Sequence, residues 1–201
     1  MKLLGSTRSP YAFKVMVMVI EKGIACDFEA TAPSSSEVAE ANPLSKVPTL
    51  IRDGGKGLYG SSVIVDYLDG CAISPKLIPD TFEDRIEVKR WESLADVIMD
   101  AAVAISHEDQ LPASERKGPD FYSKHKKKIK AGLSAMDKDL GDKKFCHGES
   151  FTLADIACGS AIVCLDIRQA DLIWRDAHPG LARHAERMAS RESFQTVSRQ
   201  D

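Results

Sequence analysis

In a chain of 201 residues, 43% hydrophobic and 28% charged residues supply enough apolar material for a packed core and exclude a disordered or fibrous chain. A formal net charge of −3 argues against nucleic acid as a partner. No apolar run approaches the roughly 18 residues of a membrane span, and "MKLLGS" turns polar too soon for a signal peptide, so a cytoplasmic protein that does not engage membranes is expected.

The first 80 residues mix short β-rich runs with helical patterns. "KLLG" (Lys2 to Gly5) reads as a strand, and "PYAFKVMVMVIEKG" (Pro10 to Gly23) reads as a helix with proline in its first turn and glycine as its stop. A strand around "CDFEAT" follows, then the polar stretch "PSSSEVAEANPLSK", the strand "PTLIR", the glycine turn "DGGKG", a short strand "LY" and the helix "SVIVDYLDG". The order is βαβ, then a hairpin and a helix. Pro48 sits where a strand begins, one of the few places a strand tolerates a residue without an N–H.

Beyond "SPKLIPDT", whose Pro75 and Pro79 resist helix, the pattern is almost wholly helical. Val88, Trp91, Ala95, Ile98, Ala102 and Ile105 mark one face of a long helix, and Ile129, Leu133, Met136 and Leu140 mark a second. "FTLADIACGSAIVCLDI" is apolar on most sides, as the central helix of a bundle must be. Its start carries the clearest helix signal in the chain. Thr152 is placed to cap, and Asp155 three residues on can reach back to the Thr152 N–H. The basic run from Lys124 to Lys130 falls in a helical pattern and reads as a solvated face. The switch in pattern predicts an α/β domain over residues 1–78 and an all-helical domain over residues 85–201.

Five cysteines (Cys26, Cys71, Cys146, Cys158, Cys164) include no C-x-x-C pair, and five histidines are scattered without ligand spacing. Reduced, mostly buried thiols are expected, with neither a disulfide framework nor a metal site.

The βαβ-ββα order, with a polar turn before its first helix and a Val-Pro dipeptide before its third strand, resembles the thioredoxin-like domain of cytosolic glutathione transferases. "NPLSKVPTL" is similar to that family's N-P-x-G-x-V-P-x-L, and "YGSSVIVDYL" to its E/D-S-x-x-I-x-x-Y-L. "SFTLADIA" and "HPGLARHAERMASRESFQ" are similar to its bundle-capping box and closing helix. "SPYAFK" resembles the omega-class "CPFAER" with serine in place of cysteine, and zeta enzymes carry serine at the same distance from the end of the helix.

The resemblance implies a thioredoxin-like glutathione-binding domain over 1–78, glutathione as co-substrate without a metal, a small electrophilic hydrophobic second substrate, and a homodimer. It further implies a cis peptide bond at Val47–Pro48, which turns the Val47 backbone outward to pair with the cysteinyl part of glutathione. Ser61 and Ser62, opening a helix, are implied for the γ-glutamyl carboxylate, and Lys46 for the glycyl carboxylate.

Ser9 is the implied catalytic residue, with Ser6 as runner-up because "GSTRS" offers several hydroxyls within one turn. On its residues alone, Ser9 followed by Pro10 is a helix cap. In the family's architecture the same position sets a hydroxyl and a helix N-terminus against the glutathione thiol, and both favour its thiolate. Ser9 would donate to the sulfur and not attack, since it has no evident histidine or carboxylate partner.

The sequence departs from the family at Gly60, where an acidic residue usually faces the glutathione ammonium. That departure raises a second expectation, a non-catalytic protein-binding module on the same fold. A glutathione-dependent isomerase or lyase is a closer variant of the first.

Overall fold

The computed structural model describes residues 1–72 and 74–199; the expected limit of the helical domain at Asp201 lies outside them. The chain forms two compact units, one from Met1 to Asp80 joined by the residues after Ala189, the other from Thr81 to Ala189.

The first unit runs β1 (Lys2–Gly5), α1 (Pro10–Glu21), β2 (Asp27–Ala30), α2 (Ser36–Ala41), β3 (Thr49–Ile51), β4 (Gly57–Tyr59) and α3 (Ser61–Cys71). Its sheet order is β2-β1-β3-β4, with β1 and β2 parallel and the other two pairings antiparallel. This is the expected small mixed sheet followed by a helical unit.

Local signals account for most boundaries. The Ser9 hydroxyl accepts from the Ala12 N–H at 3.3 Å, Pro10 opens the helix, and α1 stops before Gly23, whose φ of 60° suits glycine. Helix α2, inside the stretch that reads only as polar, is an addition to the expected order. Ser35 caps it by accepting from the Val38 N–H, and Val38 is its one buried side chain. A helix of six residues with a single apolar anchor shows no period to detect. Its end packs so tightly on β4 that a Cβ on Gly57 would lie 2.0 Å from the Ala41 carbonyl oxygen.

Leu3, Leu4, Val15, Val17, Met18, Leu50, Ile64 and Leu68, all at most 1% exposed, form the core of this unit. Beside it, Lys22 is fully buried and donates to Asp69 Oδ1 (3.0 Å) and to the carbonyl oxygens of Asp69, Ala72 and Pro75. The last helix, α8 (Glu192–Ser198, numbered after the helices of the second unit), groups with this unit. Phe194 packs on Phe13 with ring centroids 5.7 Å apart, and Arg191 makes a two-pronged ion pair with Glu21 (2.9 and 2.7 Å), which also accepts from Ser193 Oγ.

The second unit holds α4 (Phe82–Asp109), α5 (Pro119–Leu140), α6 (Leu153–Arg168) and α7 (Pro179–Ala189). The two stripes read from the sequence are its core: Val88, Trp91, Ala95, Ile98, Ala102 and Ile105 on α4, and Ile129, Leu133, Met136 and Leu140 on α5, are all buried. The lysines of the Lys124 to Lys130 run are exposed. The capping box forms as read, with the Thr152 N–H donating to Asp155 Oδ2 at 2.9 Å. The other oxygen, Oδ1, accepts from the Cys146 N–H at 2.9 Å, so one buried carboxylate satisfies both the helix start and the loop before it. All five cysteines are free thiols. Among the described residues no helix is long and apolar enough to cross a membrane.

Candidate functional site

Strand register gathers three segments at one end of the sheet. Leu4 pairs with Thr49, and Thr49 pairs with Tyr59 on its other side. From this row of three residues the chain leaves β1 through Gly5 toward Ser6 and Ser9, enters β3 from Val47 and Pro48, and leaves β4 toward Gly60, Ser61 and Ser62.

The Ser6 to Ser9 turn is closed by the Ser9 N–H donating to the Ser6 carbonyl at 2.9 Å. The Ser9 carbonyl accepts the first helical bond from the Phe13 N–H. With its oxygen accepting from the Ala12 amide, the half-buried Ser9 hydroxyl keeps its own proton to donate. Ser6 is also half-buried, but its contribution to the turn is a backbone carbonyl.

The Val47–Pro48 peptide bond is cis. Pro48 is buried and Val47 half-buried, and among the described residues no hydrogen bond engages the Val47 amide or carbonyl. The approach to this bend is held from inside. Buried Asn42 donates through Nδ2 to the Lys46 carbonyl (2.9 Å) and to Thr49 Oγ1 (3.1 Å), Thr49 Oγ1 donates to the same carbonyl (2.8 Å), and Asn42 Oδ1 accepts from the Leu44 N–H. Ser45, within this bend, has φ 48°. Asn42 and Thr49 are the positioning residues that sequence reasoning passed over. Their signal lay in "NPLSKVPTL", where an asparagine before proline can brace a turn with its own side chain. Lys46 itself is exposed.

The start of α3 is unusual. Its cap is Gly60, with φ 85° and ψ 112° and no side-chain cap bond, and its carbonyl accepts from the Val63 and Ile64 amides at 3.0 Å each. The amides of the first turn, which no preceding turn can satisfy, begin at Ser61, and Ser61 and Ser62 are half-buried. A Cβ on Gly60 would meet Val63 Cγ2 at 3.8 Å, an ordinary contact, so the glycine answers to φ and not to space.

One end of one small sheet therefore carries a capped helix start with a donor hydroxyl, a strand-like backbone segment with open polar groups, and a second helix start. Such a set can take an extended, anionic, thiol-bearing ligand by strand-like pairing at its centre and charge complementarity at its ends.

Comparison with known proteins is consistent along the chain. The family models for the glutathione S-transferase N-terminal domain and C-terminal domain match residues 3–73 and 112–187. A GST-like protein of Escherichia coli (strain K12), YibF, is 32% identical over 196 residues, covering 96% of each chain. The crystal structure of a glutathione S-transferase from Methylobacillus flagellatus with glutathione bound superposes with a TM-score of 0.94 at 43% identity, covering 98% of both chains. A glutathione transferase family member from Pseudomonas fluorescens Pf-5 with bound S-(propanoic acid)-glutathione gives a TM-score of 0.87 at 33% identity, again covering 98% of both. With both domain models matched in order and relatives aligned along almost its full length, the chain belongs to the glutathione S-transferase family.

Proposed function

We propose that this protein is a glutathione transferase that joins the sulfur of glutathione to small electrophilic hydrophobic compounds. The observation that carries the reading is the register Leu4–Thr49–Tyr59, which puts the Ser9 cap, the Val47–Pro48 bend and the Ser61 helix start at one end of the sheet. The glutathione-bound relatives support the choice of ligand.

In this reading the Val47 N–H and C=O pair with the cysteinyl residue as a neighbouring strand would. Ser61 and Ser62 receive the γ-glutamyl carboxylate at the α3 N-terminus, and Lys46 reaches the glycyl carboxylate. The thiol then lies against the start of α1. Its proton leaves to solvent on binding, because the helix terminus and the Ser9 hydroxyl stabilise the anion that remains. Lowering a thiol pKa from about 8.5 by one or two units corresponds to roughly 1.4–2.7 kcal/mol and makes thiolate abundant at neutral pH. The thiolate attacks an electrophilic carbon, a carbon–sulfur bond forms, and the leaving group departs or the adduct takes up a proton.

A homodimer belongs to the same reading, with the first unit of one copy packed on helices of the other. Exposed apolar residues support it: Val63 and Tyr59 (53% and 39% exposed) in the first unit, and Phe82, Ile86 and Val97 along α4. Light scattering checks the mass.

Gly60 supports a second reading, a binding module without catalysis, because the charge that would meet the ligand ammonium is missing. Calorimetric titration with glutathione, followed by a thiol-addition assay with an activated aryl halide, separates the two. Saturable heat and turnover support the transferase. No heat and no thermal shift at millimolar glutathione would leave the binding module.

A further inference from the structure

We propose that Cys146, Cys158 and His184, with Asp155 beside them, form a buried structural site for Zn2+ in the helical unit. This inference is independent of the glutathione reading. The three residues come from the loop before α6, from α6 and from α7, and their spacing in the sequence gives no sign of the meeting. Their donor atoms lie within 4.8 Å of one another. All are shut from solvent, with Cys146 2% exposed and Cys158, His184 and Asp155 at 0%.

The distances suit a shared ion. Cys146 Sγ is 3.6 Å from His184 Nε2. A sulfur and a nitrogen on one tetrahedral zinc, at bonds of about 2.3 and 2.05 Å, stand about 3.6 Å apart. Asp155 Oδ1 is 3.8 Å from the same Nε2, against about 3.4 Å for an oxygen and a nitrogen on one zinc, so a shift of a few tenths of an ångström makes it the fourth donor. Oδ1 accepts one hydrogen bond, from the Cys146 amide, and retains a lone pair. Met136 Sδ, 4.0 Å from Cys158 Sγ, adds a soft thioether to the wall.

Charge favours a divalent ion. A lone buried thiol behaves as a small hydrophobe, but here two thiols meet a fully buried imidazole and a carboxylate. With Asp155 as the fourth donor, two thiolates, a carboxylate, a neutral imidazole and Zn2+ leave a single negative charge, toward which the Cys146 and Thr152 amides donate, whereas a thiolate facing an imidazolium in a dry core carries a desolvation cost on both ions. Arg187 Nη2 lies 3.4 Å from His184 Nδ1, which must carry the ring proton when Nε2 binds a metal. Arg187 then relies on its other acceptors, the Lys143 and Lys144 carbonyls. Zinc would enter as the chain folds and would displace the thiol protons to solvent.

The test uses the full chain refolded under reducing conditions with Co2+ as the spectroscopic probe and then with Zn2+. The expected result is one equivalent of Co2+ bound with thiolate-to-metal charge-transfer absorption, displaced by Zn2+. At a hundredfold excess over its Kd, Zn2+ should raise the melting midpoint by roughly 5–11 °C. Cys158→Ser should lose both the absorption and the shift, while a Cys26→Ser/Cys71→Ser chain, stripped of its more accessible thiols, should keep them. If Cys158→Ser does not fold, the one-to-one spectrum of the double variant decides. No metal uptake by the wild type or by the double variant overturns the proposal, as does undiminished uptake by folded Cys158→Ser. A native Cys146–Cys158 disulfide with no uptake after reduction also overturns it.

Discussion

Thr49 stands opposite Tyr59 across the β3–β4 pairing, and its fully buried hydroxyl donates to the Lys46 carbonyl at 2.8 Å. The same residue thus aligns the start of α3 with the Val47 bend and braces that bend. Thr49→Val keeps the shape and removes the hydroxyl, leaving Asn42 Nδ2 one acceptor short inside the core. A loss of about 1–3 kcal/mol in stability is expected by urea denaturation, together with weaker glutathione binding by calorimetry. Unchanged affinity would detach the bend from the ligand.

Ser9 caps α1, and in the proposed reaction it also donates to the thiolate; one substitution separates the two roles. As a cap, Ser9→Ala should cost about 1 kcal/mol of stability. As donor to a thiolate, the loss should be about 1.5–3 kcal/mol of charge-assisted bonding, a fall in kcat/KM of roughly 10- to 150-fold. The pH–rate profile should move to higher pH by one to two units, which capping alone does not do. Ser6→Ala should leave the profile in place.

At Gly60 two effects oppose each other. Gly60→Glu supplies the missing carboxylate, with a charge-assisted contact of about 1.5–3 kcal/mol to the glutathione ammonium. It also forces a non-glycine residue to φ 85° and ψ 112°, a sparsely populated backbone region, at a cost of roughly 1–3 kcal/mol. Tighter glutathione binding in a less stable protein is the expected outcome. Titration calorimetry and thermal melting report the two halves separately, and a variant that is destabilised without binding more tightly would remove the ammonium contact.

Where α5 crosses α4, Gly132 admits Ile98: a Cβ on Gly132 would lie 2.6 Å from Ile98 Cγ1 and 2.7 Å from its Cδ1. Alanine gains about 1 kcal/mol in helix propensity, whereas overpacking a tight core costs about 1–3 kcal/mol. Gly132→Ala should therefore be neutral to destabilising by up to about 2 kcal/mol. Adding Ile98→Val, which removes the Cδ1 methyl, should recover part of any loss. A double-mutant cycle in urea measures the coupling, and a sum of independent effects would rule out the contact.

The Glu21–Arg191 pair gives the first unit an acid-sensitive tie. Burial opposes ionisation of Glu21, but the hydrogen bonds from Arg191 and Ser193 outweigh it and hold the carboxyl below its ordinary 4.5. A folded pKa below the unfolded one means the stabilisation is complete above about pH 4.5 and is lost as pH falls through the depressed folded value. Arg191→Ala should be less stable than wild type at pH 7, and the gap should close in that acid window. A gap constant with pH would show that the pair adds nothing through charge.

Elements with local chemistry were legible in the sequence. Ser9 with Pro10 begins α1, Thr152 with Asp155 begins α6, and the stripe from Val88 to Ile105 buries one side of α4, because caps and helical periods are set by residues a few positions apart. Helix α2 escaped because a single buried valine has no period, and Asn42 and Thr49 because a brace is visible only when its carbonyl is in place.

What tertiary structure alone decided is which distant residues meet: Leu4 with Thr49 and Tyr59, Lys22 with Asp69, Glu21 with Arg191, and Cys146 and Cys158 with His184. Each joins segments that a chain of this pattern can place together only after strands have chosen their register and helices their packing faces. Those choices are made by shared burial across the whole unit and by no local run of residues.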